Sequence, residues 1–506
     1  MSNKKILNLS KKKDANFFNL IRKEKKIVLC HGVFDLLHYG HIQHLKEAKK
    51  YGDLLIVSIT SDKFVNKGPS RPYFNFKQRS ESLLSLNCVD YVVESKGLSS
   101  VEIINVVKPQ YYCKGKDYTN LSKDYSKKII LEKKAVEKNY GKIVFTTSKL
   151  HSSSKLLNNE FIFNEDQILF LKNIKKNFSI EAIIKIIDNF YKIKPVIVGE
   201  IIIDAYNFCS PLGKSGKEPV LVFKHLKKET YQGGSLAIAK HLSDFCNKID
   251  LISYIGEKQE FLNNIKKNNI SINLVNKKNS PTIEKIRFVE NNTYKKLMGI
   301  YNVNDDFLSA PEEKKILSFF DKIIKKDSIL IVTDYGHGLF TKKITQRLNK
   351  YKNFKSLNCQ VNSSSIGYHS IKNFKNFDLI IFNEIELRYE LRDKNQKIEF
   401  LIKKFARDNT FKYLVVTRGK LGCILYNNVS KKFFYAPGFA RNIVDKIGAG
   451  DAMIPFMTIL LHLTKSEELA LLISSFTAAE LIAVDGNKIS INKYNLIKSI
   501  EHALKI

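Results

Sequence analysis

Apolar residues in the first third of the chain come in short unbroken runs: Ile27-Val-Leu-Cys30, Leu54-Leu-Ile-Val-Ser-Ile59, Tyr91-Val-Val93, Tyr111-Tyr-Cys113 and Ile143-Val-Phe145. Between the first two lies another rhythm, Ile42, Leu45 and Ala48, spaced for one helix face and stopped by Tyr51-Gly52-Asp53. A strand buried on both faces needs a run, and runs alternating with helical spacing predict a parallel sheet covered on both sides. From Ser152 to Lys194 the chain turns polar and helical, with no proline until Pro195. This predicts a last helix and a helical connector. A second series of runs follows at Val196-Ile-Val-Gly-Glu-Ile-Ile-Ile-Asp204, Leu251 to Ile255, Ile329 to Val332, Leu379 to Phe382 and Tyr413 to Thr417. Pro219 to Lys227 and Ile283 to Val303 alternate instead, predicting a small antiparallel sheet beside the main α/β body. The pattern therefore divides into a Rossmann-like domain over 1–158, a connector over 159–194 and a second α/β domain over 195–506.

Composition adds three points. With 506 residues, 44% hydrophobic and 26% charged, the chain is long enough for two cores and too apolar for a disordered protein. The net charge of +34 is spread along the chain among Asn and Ile, so a nucleic-acid partner is not expected, although surplus positive charge suits phosphorylated substrates. Seven cysteines, an odd number without a C-x-x-C pair, predict reduced thiols, no zinc site and a cytoplasmic protein. The most hydrophobic stretch, Leu469 to Val484, is interrupted by Ser474, Ser475, Thr477 and Glu480 and reads as a buried helix, so no membrane association is expected.

The sharpest motif is Gly32-Val-Phe34-Asp35-Leu-Leu-His38-Tyr-Gly40-His41, where the first strand hands over to the first helix. A helix N-terminus there offers free amides and a positive dipole end to a triphosphate. Gly40 permits close backbone approach, and two imidazoles three residues apart can donate to phosphate oxygens. Lys46, further along the helix, either reaches the same anions or is solvated. The string resembles the H-x-G-H signature of cytidylyltransferase-like nucleotidyltransferases. The resemblance continues through Ser61-Asp62, Asn66 to Pro72, Gln78-Arg79, Val89-Asp90, Lys114 to Tyr118 and Ser152 to Lys155. It is nearest the heptose-1-phosphate adenylyltransferase branch, with glycerol-phosphate cytidylyltransferases more distant. What it implies is attack of an acceptor phosphate on the α-phosphorus of ATP or CTP, with loss of pyrophosphate. His38 and His41 are then catalytic. Gly32, Phe34, Asp35, Gly40, Lys46, Arg71, Arg79, Ser153 and Ser154 fall at the nucleotide and its phosphates, and Asp117 at the acceptor. Ser153 and Ser154 equally read as simple helix caps.

A second motif, Asp445-Lys-Ile-Gly448-Ala449-Gly450-Asp451, precedes a long apolar helical pattern. Consecutive amides at a helix start cradle the charge of a transferring phosphoryl group, and a carboxylate at its edge can take the proton of an attacking hydroxyl. This stretch resembles the ribokinase-like (PfkB) carbohydrate kinases, and matches extend over 195–490: Gly199 and Asp204, Gly233-Gly234, Asp334-Tyr-Gly-His-Gly338, Asn383-x-x-Glu386 and Thr417-Arg-Gly419-x-x-Gly422. The implied roles are general base for Asp451, sugar contact for Asp204, close substrate approach at Gly233 and Gly234, and ordering of Mg2+ around ATP by Asn383 and Glu386. Lys285 and Arg287, at the start of the small lid sheet, match the sugar-phosphate kinase branch. Glu200, Ala237 and Lys446 depart from the family pattern. Together the resemblances are those of the bifunctional heptose kinase and heptose-1-phosphate adenylyltransferase with the domain order reversed. A nucleotidyltransferase carrying a non-catalytic sugar-binding domain is the alternative, and the kinase resemblance admits a homodimer.

Overall fold

The computed structural model describes residues 5–7, 12–65, 67–68, 71–97, 99–115, 128–146, 158, 162–257, 269–360, 369–440, 443–445, 447–483 and 488–506. The chain divides into two compact units, Met1–Asn164 with Lys498–Ile506, and Glu165–Ile497. The helices Glu165–Asn177 and Ile180–Asp188, read from sequence as a connector, fall within the second unit, and the last nine residues fall within the first.

The first unit holds six strands: β1 (Lys5–Leu7), β2 (Ile27–Gly32), β3 (Leu54–Thr60), β4 (Tyr91–Ser95), β5 (Tyr111–Gly115) and β6 (Lys142–Thr146). Their order is β1-β4-β3-β2-β5-β6, and every pair is parallel. All seven residues of β3 are buried, which is why its sequence is a run and not an alternation. Neighbouring residues serve opposite faces: Leu29 and Ile56 pack with Phe18 and Ile104, while Val28 and Val57 pack with Leu45 and Leu83. Chain order reverses between β2 and β5, and the crevice outside the carboxyl ends of such strands is where α/β sheets bind ligands.

The second unit contains β7 (Pro195–Gly199), β8 (Ile201–Lys214), β9 (Leu221–Gly234), β10 (Ile249–Ile255), β11 (Ile270–Asn276), β12 (Glu284–Glu290), β13 (Lys296–Asn302), β14 (Ile329–Asp334), β15 (Lys355–Cys359), β16 (Leu379–Asn383), β17 (Tyr413–Thr417), β18 (Cys423–Asn427) and β19 (Lys432–Ala436). Nine of them form the main sheet, β11-β10-β7-β14-β15-β16-β17-β18-β19, parallel as far as β17 and antiparallel beyond it. Order reverses between β7 and β14. The remaining four form a separate sheet, β13-β12-β8-β9.

Two expectations are corrected here. The opening strand Val196–Asp204 is broken at Glu200, so Asp204 belongs to the small sheet. At the break the Glu200 carbonyl accepts the Ser235 amide at 3.0 Å, while its carboxylate accepts the amides of Tyr335 at 3.0 Å, His337 at 3.3 Å and Leu339 at 3.4 Å. The Ile201 amide donates to the Ser253 hydroxyl at 3.2 Å, so the backbone groups at the break are satisfied outside the ladder of the main sheet. The small sheet is mixed: β8–β9 and β12–β13 are antiparallel, while β8 and β12 run parallel. Among the described residues no helix is long and apolar enough to cross a membrane.

Candidate active sites

In the first unit, Gly32 ends β2 and the chain turns sharply into the helix Tyr39–Lys49. A Cβ on Gly32 would lie 3.0 Å from the Phe34 ring, and Phe34 itself sits at φ +50°. A left-handed phenylalanine costs on the order of 1 kcal/mol, held here by burial of its ring against His41. His38 caps the helix, its Nδ1 accepting the His41 amide at 3.4 Å, and the two imidazoles stack with centroids 4.0 Å apart. His41 Nδ1 donates to the Leu36 carbonyl at 3.1 Å. Burial first, then His38 and Lys67, push the His41 pKa down to about 3, so the ring is neutral until an anion arrives.

Positive charge gathers beside this helix start. Lys67 is pushed down to about 8, first by burial and then by Arg71, with Lys505 and Arg79 adding to the effect and Asp35 opposing it. His502 is pushed well below its ordinary value by burial, Lys67 and Lys505. Cations crowded in this way are relieved by a bound anion.

The structure sorts the expected residues of this site. His38, His41, Gly32, Phe34 and Gly40 lie together at the strand-to-helix turn. Asp35 and Arg71 form a buried ion pair at 2.8 Å, with the Phe74 amide also on Asp35 at 2.9 Å. Arg71 then reaches Asn158 Oδ1 at 3.1 Å, and Asn158 Nδ2 donates to the carbonyls of His502 at 2.6 Å and Lys505 at 3.3 Å. Arg79 departs from the expected phosphate contact. It is 1% exposed, and its guanidinium donates to the Val33 and Thr60 carbonyls and to Asp62. It therefore braces the loop after β2. Lys46 is exposed on its helix. Ser153, Ser154 and Asp117 lie outside the described residues. Sequence reading gave no role to Lys67, Asn158 or the C-terminal residues, and no local signal links Asn158 to a carbonyl 344 positions away.

In the second unit, Gly448 at φ +85° caps the helix Ala449–Thr464. A Cβ on Gly450 would meet nothing within 4 Å, so the cradle is open above it. Asp451 is 8% exposed and accepts the Tyr335 hydroxyl at 2.8 Å. Burial outweighs that bond and, with Asp204 nearby, raises its pKa to about 7. Lys285 is buried among Asp204, Glu200 and Asp451, and burial lowers its pKa. Arg287 holds Asp204 at 2.6 Å. Lys285 pairs with Asp204 across β12 and β8, so these charged groups come to one end of the small sheet.

Here too the roles shift. Gly233 leaves room for a side chain of the protein itself: a Cβ there would lie 2.2 Å from Asp204 Oδ2. Gly234, at φ +60°, packs its α-carbon against the Glu200 carbonyl. Asn383 and Glu386 form a reciprocal capping box on the helix Glu384–Leu391, each side chain accepting the other's amide at 2.8 Å. Asp445, the first residue of the motif, accepts Lys296 at 2.5 Å, the Tyr206 hydroxyl at 2.9 Å and the Ile447 amide at 3.0 Å. It ties the small sheet to the anion loop. Ala237 is buried in the helix Ser235–Leu242, and Lys446 lies outside the described residues.

Comparison with known proteins agrees with this division. The pattern of the pfkB family carbohydrate kinases matches residues 192–490, and a cytidylyltransferase-like pattern matches residues 29–159. The bifunctional protein HldE of Syntrophotalea carbinolica is 41% identical over 100 residues, covering 19% of this chain and 20% of that protein. HldE of Helicobacter pylori strain G27 is 45% identical over 103 residues, 20% of this chain and 22% of the relative. The chain thus matches only about a fifth of the length of these relatives. Among solved structures, phosphofructokinase-2 from Escherichia coli with potassium superposes with TM-score 0.51 at 13% identity, over 62% of this chain and 99% of that one. The same kinase with substrates and products gives 0.50 at 14%, over 61% and 99%. The likeness at this identity is one of fold. By the extent of the family match, this chain belongs to the pfkB family of carbohydrate kinases, and it carries a cytidylyltransferase-like domain at its N-terminus.

Proposed function

We propose that the chain is a bifunctional enzyme of nucleotide-activated sugar synthesis. The first unit transfers a nucleotidyl group from ATP or CTP to a sugar phosphate, and the second phosphorylates a sugar or sugar phosphate with ATP. The heptose route is the leading candidate, because both units resemble its enzyme. One observation carries the reading: each unit sets a ligand-ready helix start at the carboxyl edge of a parallel sheet, with His38 stacked on a neutral His41 beside crowded cations in the first and a buried carboxyl raised to about 7 in the second.

In the transferase reaction an acceptor phosphate oxygen attacks the α-phosphorus, the new P–O bond forms and pyrophosphate leaves. The protein supplies geometry and charge: amides at the helix start, His38, His41 and Lys67 around the triphosphate, and Arg71 fixed by Asp35 and Asn158. In the kinase reaction the substrate hydroxyl attacks the γ-phosphorus and passes its proton to Asp451, while the Gly448 to Gly450 amides receive charge on the phosphoryl oxygens. A pKa near the working pH suits a base that must accept and then release a proton. Lys285 and Arg287 suit a substrate that already carries a phosphate. Asn383 and Glu386 offer only oxygen donors, the class Mg2+ prefers, and a magnesium ion held at Glu386 would supply neutralising charge to the ATP phosphates. The intact Asp451 and its partners favour catalysis over a merely sugar-binding second unit.

The test is a screen of the purified full-length protein against ATP and CTP with a panel of sugars and sugar phosphates, reading pyrophosphate and ADP separately. Release of both is the expected outcome. Silence in both channels across heptose, hexose and polyol phosphates would overturn the proposal.

A further inference from the structure

Asp334 and Cys359 are the last residues of β14 and β15, adjacent parallel strands, and they are register partners. Register partners direct their side chains to the same face. His369 joins them: its Nε2 lies 3.0 Å from Cys359 Sγ and 3.4 Å from Asp334 Oδ1. One donor atom from each of the three lies within 4.8 Å of the other two. We infer that Asp334, Cys359 and His369 form a binding site for a zinc-class transition-metal ion, separate from the magnesium that serves ATP.

The donor set decides the class. A thiolate and an imidazole select a borderline-soft ion such as Zn2+, while Mg2+ demands oxygen ligands in an octahedron. An ion about 2.0–2.3 Å from each donor requires separations between donors of roughly 3.3–3.7 Å; the two distances from His369, 3.0 and 3.4 Å, come within a few tenths of an ångström of this, and the third pair lies within 4.8 Å. Three protein ligands are also the number in zinc sites that keep one position for water or a ligand. The surroundings are anionic. Burial first, and then Asp334, Glu390, Glu386 and Glu200, push the Cys359 thiol well above its ordinary range, an excess of negative charge that a bound cation would relieve, and Ser370 Oγ fixes Glu390 at 2.8 Å beside His369. Binding replaces the thiol proton, and any proton on the carboxyl, with the metal, and these protons pass to solvent. The site escaped the cysteine count because its ligands come from two strand ends and a following segment, 25 and 10 positions apart, with no short motif between them.

The full-length protein, dialysed against chelator, is titrated with Zn2+ in competition with a chromophoric chelator in the presence of excess Mg2+. One equivalent is expected to bind more tightly than any remaining zinc, with affinity falling about tenfold or more in Cys359→Ser and in His369→Ala. Co2+ in the unaltered protein should give a thiolate-to-cobalt charge-transfer band in the near ultraviolet, absent from Cys359→Ser. If the Cys359 variant does not fold, His369→Ala, which keeps the thiol and changes a half-buried position, decides the matter. Equal zinc affinity in the unaltered protein and His369→Ala, or cobalt binding without that band, would overturn the assignment.

Discussion

Replacing Tyr335 by phenylalanine should move the acid limb of the kinase pH profile upward. The Tyr335 hydroxyl donates to Asp451 Oδ1 at 2.8 Å, and both groups are buried. That bond favours the ionised carboxyl and opposes the burial that raises its pKa to about 7. A hydrogen bond to a charged group is worth about 1.5–3 kcal/mol, and about 1.4 kcal/mol corresponds to one pKa unit. Losing it should therefore raise Asp451 by about one to two units. Phenylalanine keeps the ring in its pocket, and the Tyr335 amide bond to Glu200 is a backbone contact that survives the change. The base must be ionised to act, so activity is present above the pKa and lost as pH falls through it. A shift of one unit from about 7 lowers the ionised fraction at pH 7 from about a half to about one in eleven, roughly fivefold in rate. ADP release measured as kcat/KM from pH 6 to pH 9.5 checks this, with recovery expected at the alkaline end. An acid limb that stays in place, or moves downward, would refute Asp451 as the titrating base.

Asp451→Asn should abolish ADP release yet raise the Tm at pH 8. Because the folded carboxyl holds its proton up to about 7, against an ordinary value of 3.8, stability is lost as pH rises through that window, and the gain should vanish near pH 4. Arg71→Ala leaves Asp35 buried without its cation and should cost about 3–5 kcal/mol in urea unfolding of the first unit, whereas a change within 0.5 kcal/mol would contradict the buried pair. Nucleoside triphosphate binding should draw a proton onto the His38–His41 pair at pH 6, since a neutral His41 gains basicity beside an anion. Calorimetry in buffers of different ionisation enthalpy reads this, and a buffer-independent heat would exclude it.

The parts of the fold legible in sequence are those where local pattern and tertiary burial agree. β3 is a run because both its faces are covered, and the helix Tyr39–Lys49 follows its apolar spacing. β15 was hidden because Lys-Ser-Leu-Asn-Cys is polar, although all five residues are buried. Lys355 is tolerated there because its ammonium donates to the carbonyls of Leu348, Asn349 and Tyr351, at the end of the helix Lys342–Lys350. Such a cap joins residues whose pairing no periodicity announces. The break at Glu200 was hidden for the same reason, since the groups that bond around it, from Ser235 and Ser253 to Tyr335, lie far downstream. The sites divide likewise. The His38–His41 turn and the Gly448–Asp451 turn are contiguous, so strand-turn-helix logic finds them. Asn158, Lys505 and Asp445 act through contacts distant in sequence, and Arg79 carries the right chemistry for phosphate while spending it on carbonyls. For Asn383 and Glu386 the spacing expected to order a metal also builds a capping box, and only the hydrogen bonds reveal the latter.

The two proposed phosphate sites are chemically independent, and one paired measurement tests that independence most directly. Pyrophosphate and ADP release are followed in the full-length protein, in His41→Ala and in Asp451→Asn. The expected outcome is a clean exchange: His41→Ala loses pyrophosphate release and keeps ADP release, while Asp451→Asn does the reverse. Loss of both signals in both variants, with folding intact, would contradict the claim that each unit carries its own reaction.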